Sequence, residues 1–283
     1  MAVTNGWGQA AVNNTIDYGK GKTTATNDWG KIYDSSASGD TSLGKAAAPS
    51  FSNLKSTSFD GIDDYCETAS TYSALDGVTK ATWSVWVNPT NVSGIRVVYH
   101  NPRNSTIQKS QFMLWLLSTA RIDFSIKESA YIRGDVSSIN FGSWNHIMCC
   151  IDTTLSNALM GKIFVNGADV TTSQNVSSLP SGIIPNAADS LYIGKEAQGY
   201  GSPFSGNIDE LAIWSGVDLR NDVSTIYNSG VPNDINNNGL TAPTTWYRMG
   251  DGDTFPTLQD TNGSADLTMT NMTSGNIVSN VPT

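Results

Sequence analysis

Residues Lys162–Thr171 read KIFVNGADVT. Asn166-Gly167 stands between two short β-prone runs, and this dipeptide supplies the two positive-φ positions of a tight hairpin turn. Working outward, RIDFSIK (Arg121–Lys127) alternates: Ile122, Phe124 and Ile126 face one way, Asp123, Ser125 and Lys127 the other. TWSVWV (Thr82–Val87) puts Trp83, Val85 and Val87 on one face and Thr82, Ser84 and Trp86 on the other. That strand is expected to stop at Asn88-Pro89, because proline has no N–H for a ladder. QFMLWLL (Gln111–Leu117) and WNHIMCCI (Trp144–Ile151) read as strands of a covered sheet, and SLYIG and GNIDELAIW supply two more. Short apolar runs separated by turn signals predict an all-β sandwich or barrel.

One helix is expected, in DLRNDVSTIYNSGVP. Asp218 is the candidate N-cap, and Leu219, Val223, Ile226 and Tyr227 share a face. Gly230 suits the left-handed C′ position and Pro232 blocks continuation, giving about three turns.

The 283-residue chain is 14% charged, well under the usual share of about 25%. Its polarity comes from Ser, Thr, Asn and Gly, the palette of short strands and tight turns. A net charge of −9 repels phosphate backbones, so nucleic acid is not an expected partner. No apolar run reaches the roughly 18 residues of a membrane span. The start, MAVTNGWGQ, lacks the basic and apolar regions of a signal peptide. Cys66, Cys149 and Cys150 are an odd set with an adjacent pair, which predicts buried thiols in a chain that folds in a reducing compartment.

Residues 1–50 are polar and glycine-rich. Trp7-Gly8, Tyr18-Gly19 and Trp29-Gly30 recur at a spacing of eleven residues. The period of a right-handed coiled coil does not fit, because only one position repeats as apolar and each aromatic precedes glycine. Extended, eleven residues span roughly 36 Å. The aromatics therefore read as separate anchors, and an arm docked on a partner through Trp7, Tyr18 and Trp29 is expected.

Five motifs in register, SFDGIDDYCE, ATWSVWVNP, SWNHIMCCID, GKIFVNGADVT and LYIGKEAQGYGSPFSGNIDELAIWSGVDLRNDVSTIYNSGVP, resemble the laminin-G-like, concanavalin-A-like jelly-roll family over Ser58–Pro232. The resemblance implies an all-β, two-sheet antiparallel jelly-roll sandwich with one short helix. The division expected is an N-terminal arm at 1–50, a jelly roll at 51–233, and a C-terminal segment at 234–283. That last segment, around WYRMGDGDTFPTLQDTNG, resembles the stretch that normally opens such a domain. It either completes the chain's own sheet or adds to a neighbour. The flanks resemble structural proteins of tailed phages of marine bacteria, which implies a virion location.

Members of the jelly-roll family often hold calcium, and the matching ligands are Asp60, Asp64 and Asp209; calcium takes carboxylate and carbonyl oxygens. Asx-type turns are the plain alternative at Asp60 and Asp64. Asp251–Asp253 is a weaker second candidate. Glycosidases of this architecture use Glu-x-Asp-x-Glu on one strand face. In NIDELAIW, Asp209 and Glu210 are adjacent, so strand alternation sends them to opposite faces and no catalytic pair forms. His146 reads as a core histidine, and His100 as a loop residue outside any nucleophile setting. Tyr131 and Tyr200 are the loop aromatics that could meet a sugar.

The function expected is non-enzymatic: a phage capsid decoration or appendage subunit, anchored to other virion proteins by its arm and displaying a lectin-like jelly roll. The alternatives are a tail-fibre or receptor-binding protein that recognises host glycans, and a carbohydrate-binding module. A homo-oligomer, by analogy a trimer, is the expected assembly.

Overall fold

The structure is a computed structural model. It describes residues 51–90, 96–102, 110–126, 130–175, 187, 189–197 and 202–283, and four short strands before them. Those four form two antiparallel pairs, Val3–Thr4 (β1) with Ala10–Ala11 (β2), and Thr24–Thr26 (β3) with Ile32–Asp34 (β4). Trp7, Tyr18 and Trp29 lie outside the described residues. The chain divides into two compact units, Met1–Phe51 and Ser52–Thr283.

The second unit is nearly all β. Its strands are Ser56–Asp60 (β5), Tyr65–Thr68 (β6), Lys80–Pro89 (β7), Arg96–Pro102 (β8), Ser110–Leu116 (β9) and Ile122–Ile126 (β10). Ala130–Gly134 (β11), Asn145–Asp152 (β12), Gly161–Val165 (β13), Ala168–Asp169 (β14), Thr171–Asn175 (β15), Tyr192–Ile193 (β16) and Ser205–Ser215 (β17) follow. The last four are Thr245–Tyr247 (β18), Thr257–Leu258 (β19), Leu267–Thr270 (β20) and Ile277–Val278 (β21). One sheet runs β15-β11-β10-β9-β8-β16-β6-β20-β19; the other runs β14-β13-β12-β7-β17-β5-β21, with β18 also on β17.

Alternation fixes which side chains fill the space between the sheets. Trp83, Val85 and Val87 of β7 meet Phe112, Leu114 and Leu116 of β9 and Ile122, Phe124 and Ile126 of β10 in one buried cluster. Trp83 lies 4.3 Å from the Phe112 ring and 4.8 Å from that of Phe124. The Asn166-Gly167 turn joins β13 to β14, with φ of 49° and 81°, the two left-handed residues its dipeptide requires. Strand β7 ends at Pro89, as the proline predicts, with Gly206 of β17 opposite it.

The helix differs from expectation. It is a single turn or so, Val223–Tyr227 (α1), with Asp222 at its N-cap position and left-handed Asn228 at its C-cap. Asp218 does not cap it. Its carboxylate accepts from Arg220 Nε at 2.6 Å, and Arg220 donates onward to the carbonyls of Leu159 and Met160. Those bonds hold residues 218–220 as a strap, and the helix starts only after it.

The C-terminal residues supply strands to both sheets of the same chain: β18 to β17, β20 to β6, and β21 to β5. β5 flanks Ser205–Ile208 of β17, and β18 flanks Leu211–Ile213. Strand β17 therefore changes neighbour at Asp209-Glu210. There it carries a β-bulge against β7, with Asp209 opposite Trp86 and Ala212 opposite Ser84. Glu210 takes φ of 48°.

Candidate functional site

The outer face of the nine-stranded sheet is built by register. Residues directly opposite on antiparallel strands project to the same side, roughly 5 Å apart. One row runs Ser173–Arg133–Asp123–Trp115–Val97, and the next runs Asn175–Tyr131–Ser125–Met113–His100–Tyr192–Glu67–Thr268. The alternate residues of these strands are core, so both rows face away from it.

Two stations stand out on this face. In the first, Asp123 accepts from Arg121 Nε at 2.9 Å and from its Nη2 at 3.0 Å, a two-pronged pair. Arg133 Nε lies 3.3 Å from the same carboxylate, and its guanidinium carbon lies 4.0 Å from the centre of the Tyr131 ring. Trp115, half-buried, is the cross-strand neighbour of Asp123. In the second station, Lys195 Nζ lies 3.1 Å from the centre of the Tyr65 ring and 5.3 Å from that of Tyr192. Burial, then Asp189 and Glu67, push the Tyr192 phenol up to about 12, so it remains a neutral donor. The stations offer aromatic surface beside charged hydrogen-bonding groups.

Tyr131 thus belongs to a strand, not a loop as its surroundings in the sequence suggested; β11 is paired on both sides. Tyr200 lies outside the described residues. His100 is likewise in strand β8 and buried, where Nδ1 accepts from the Ala197 N–H at 2.9 Å; burial lowers it to about 4. His146 is fully buried, shares a 2.8 Å hydrogen bond with Ser84 through Nε2, and packs against both Trp86 and Tyr227, which also stack on each other. Burial lowers it to about 3. The three cysteines are buried free thiols.

The expected calcium ligands are not brought together as a set. Asp60, Asp63 and Asp64 offer oxygens within 4.8 Å of one another. Asp209 is absent from that group. Ser205 is the residue opposite Asp60, so Asp209 lies four residues along β17, about 13 Å away. Its carboxylate is fully buried and accepts from Asn53 Nδ2 at 2.8 Å and from the Glu210 N–H at 2.9 Å. The remaining donors are the hard oxygens calcium takes. Asp60 Oδ1 accepts from the N–H groups of Ile62 and Asp63, and Asp64 Oδ2 from Asp60 N–H and Asn276 Nδ2, so one oxygen of each is engaged in turn bonds. Burial first, then the charges of Asp60 and Asp63, raise Asp64. The Asp251–Asp253 candidate is taken up by the fold: Asp251 accepts from Leu54 N–H and Arg248, and Asp253 from the N–H groups of Gly250 and Gln259.

Alternation also fails at Asp209-Glu210, because the bulge inserts one residue. Asp209 shares the Trp86 side of the sheet, and Glu210 lines a cavity of about 10 Å³ with Trp86, Ser84 and Ile226. Both carboxylates are therefore on the outer side of the eight-stranded sheet, with Glu210 beneath the α1 region. Burial raises Glu210 to about 7, with Arg248 and Trp246 acting against it; Asp209 is raised by burial and by Glu210. A cavity of that size has room for about one water molecule and none for a sugar.

The two-layer fold and its outward aromatic rows define a lectin-like jelly roll. Residues 60–224, more than half of the chain, match the family described as the concanavalin A-like lectin/glucanases superfamily, and the chain belongs to it. Comparison with curated protein sequences finds no match. Among solved structures, a heptameric SAP-like pentraxin from Limulus polyphemus is similar at 16% identity and a TM-score of 0.46, covering 62% of this chain and 82% of that one. A sialidase carbohydrate-binding module from Ruminococcus gnavus, bound to α2,3-sialyllactose, aligns at 13% identity and 0.44, covering 61% and 96%. Domain 4 of an arabinanase from Geobacillus stearothermophilus, in complex with arabinotriose, aligns at 18% and 0.44, covering 73% and 82%.

Proposed function

We propose that this chain is a non-enzymatic glycan-binding jelly roll, with the outer face of the nine-stranded sheet as its binding surface. The observation that carries the reading is the row Arg133–Asp123–Trp115, with Tyr131 beside it. A sugar presents an apolar C–H face and a rim of hydroxyls. Indole and phenol rings suit the first, and the part-exposed guanidiniums of Arg121 and Arg133, held in place by buried Asp123, suit the second. Membership of a superfamily that includes lectins is consistent with this use. The absence of catalysis is supported by Asp209 and Glu210, which are adjacent carboxylates closed off from any sugar.

The setting proposed is a virion, as a decoration or appendage subunit held by the arm through Trp7, Tyr18 and Trp29. What supports it is the sequence resemblance of both flanks to phage structural proteins. Calcium at Asp60, Asp63 and Asp64 belongs to the same reading.

A glycan array run with the wild type, Trp115→Ala and Asp123→Asn tests the binding surface. Binding by the wild type that both variants lose is the expected result; an array blank with calcium present overturns the reading. For the arm, deletion of residues 1–34 should release the protein from particles while the jelly roll stays folded. A truncated protein that still decorates particles removes the arm from the account.

A further inference from the structure

A second concave surface lies away from the aromatic rows, between the jelly roll and the C-terminal residues. It is a cleft of about 540 Å³, within the range of pockets that take small ligands. One wall is the loop Thr68–Ala74, which leaves β6. The other is Thr244–Thr245 and the loop Asp260–Asp266 between β19 and β20.

Both walls are held before any ligand arrives. Tyr72 bridges them from the floor, donating its hydroxyl to Thr245 Oγ1 at 3.0 Å, while its own N–H donates to the Asp189 carbonyl at 3.1 Å. Asp260 fixes the far loop: Oδ1 accepts from the N–H groups of Trp246 and Asn262, and Oδ2 from that of Ala265. Tyr247 donates its hydroxyl to the Ala265 carbonyl at 2.5 Å. A cleft with its walls tied loses little freedom on binding.

The lining has a definite chemistry. Among the described lining residues, Thr68, Tyr72 and Thr245 are buried with their hydroxyls bonded within the fold, and the hydroxyls of Ser70, Thr71, Ser73, Thr244 and Ser264 are exposed to the cleft. Among the described lining residues, Asp260 and Asp266 are the charged groups, with no Lys, Arg or His. Asp260 is occupied by the loop N–H groups. Exposed Asp266 accepts the Asp260 N–H at 2.9 Å through Oδ1, and among the described residues its Oδ2 has no hydrogen-bond partner. Hydroxyls both donate and accept, so they match a polyol; an uncompensated carboxylate favours an amine and disfavours an anion.

We propose that this cleft is a second ligand site, for a neutral or amine-bearing polyol such as an amino sugar, and that Asp266 is its selectivity group. The proposal stands apart from the sheet-face site, where Arg121, Arg133 and Lys195 supply the opposite charge preference.

The test uses the full chain, ¹⁵N-labelled, titrated separately with D-glucosamine, methyl glucoside and D-glucuronate. Expected are saturable amide shifts confined to residues 69–74 and 262–266 with the first two probes, tightest for glucosamine, and none there with glucuronate. Asp266→Asn keeps an acceptor for the Asp260 N–H and is expected to weaken glucosamine about tenfold while leaving methyl glucoside unchanged, as loss of a charge-assisted bond predicts. Trp115→Ala should leave every one of these shifts in place. No shifts in the cleft with any probe, equal shifts with glucuronate, or an unchanged glucosamine preference in Asp266→Asn each overturn the proposal. Loss of shifts only at the sheet face counts against the other site, not this one.

Discussion

Glu210 accepts the Trp246 indole N–H at 2.6 Å, at the point where strand β17 changes neighbour from β5 to β18. Arg248, two residues after Trp246, donates to the other oxygen of Glu210 at 3.2 Å and to Asp251 at 3.0 Å. The C-terminal strand is thus attached to the bulge by ionic hydrogen bonds as well as by its ladder. Trp246→Phe keeps most of the ring and removes the N–H, leaving a buried carboxylate short of a donor. A loss of about 2 kcal/mol in urea denaturation is expected. A change under about 0.5 kcal/mol would mean that the ladder alone holds the tail.

The same cluster sets a pH dependence. Burial raises Glu210 from 4.5 to about 7, so between those values the folded chain binds protons that the unfolded chain has released. Stability contributed by this group therefore falls as pH rises through that window. Asp209, raised by burial and by Glu210, acts with the same sign. His100 and His146, lowered from 6.5 to about 4 and about 3, act oppositely, losing stability as pH falls below 6.5. Subtracting the Glu210→Gln profile from the wild-type profile gives the contribution of this carboxylate together with its push on Asp209. The difference should decline from pH 4.5 to 7 and be flat above; a difference independent of pH would remove Glu210 as the titrating group.

Much of this architecture is legible in the chain itself. RIDFSIK reports its buried face because Ile122, Phe124 and Ile126 need burial and Asp123 and Ser125 tolerate a polar side. NG at 166–167 reports its turn because few residues accept two left-handed positions in succession. The outer face proposed for binding is not legible in this way. Trp115 meets Asp123 only through the β9–β10 register, and Asp123 meets Arg133 only through β10–β11. Tyr131 looked like a loop residue because ESAYIRGD is polar, yet it sits between two paired strands. The bulge at Glu210 defeated the reading of NIDELAIW: one inserted residue moves a side chain to the other face, and nothing in an alternating pattern announces it. The hint available was Trp246 and Arg248 in the tail, a donor pair awaiting a carboxylate.

Calcium supplies a separate prediction. Asp60, Asp63 and Asp64 repel one another, and a bound cation would reverse that repulsion. Calcium in hundredfold excess over its dissociation constant should add about 2.7 kcal/mol of stability relative to chelator. Asp63→Asn should reduce the gain, and Asp209→Asn should leave the gain intact. Melting temperatures identical with calcium and with chelator would dismiss the ion.

The Gly206–Pro89 pairing makes the last prediction. Gly206 has φ of 131°, a conformation open to glycine, and a Cβ placed there would lie 2.2 Å from the Asn88 carbonyl oxygen and 2.9 Å from Pro89 Cα. Both obstacles are backbone, so neither can turn aside. Gly216, just past the far end of β17, has φ of 76°, but a Cβ added there would meet nothing within 4 Å. Gly216→Ala should therefore cost only the left-handed penalty, about 1 kcal/mol. Gly206→Ala adds displacement of the β7 backbone and should cost about 3 kcal/mol or more. The two variants share the same chemical change, so the excess in Gly206→Ala measures how rigidly β17 and β7 are held together. Equal losses would mean that β7 yields at Asn88-Pro89, and that the ladder there is looser than its pairing indicates.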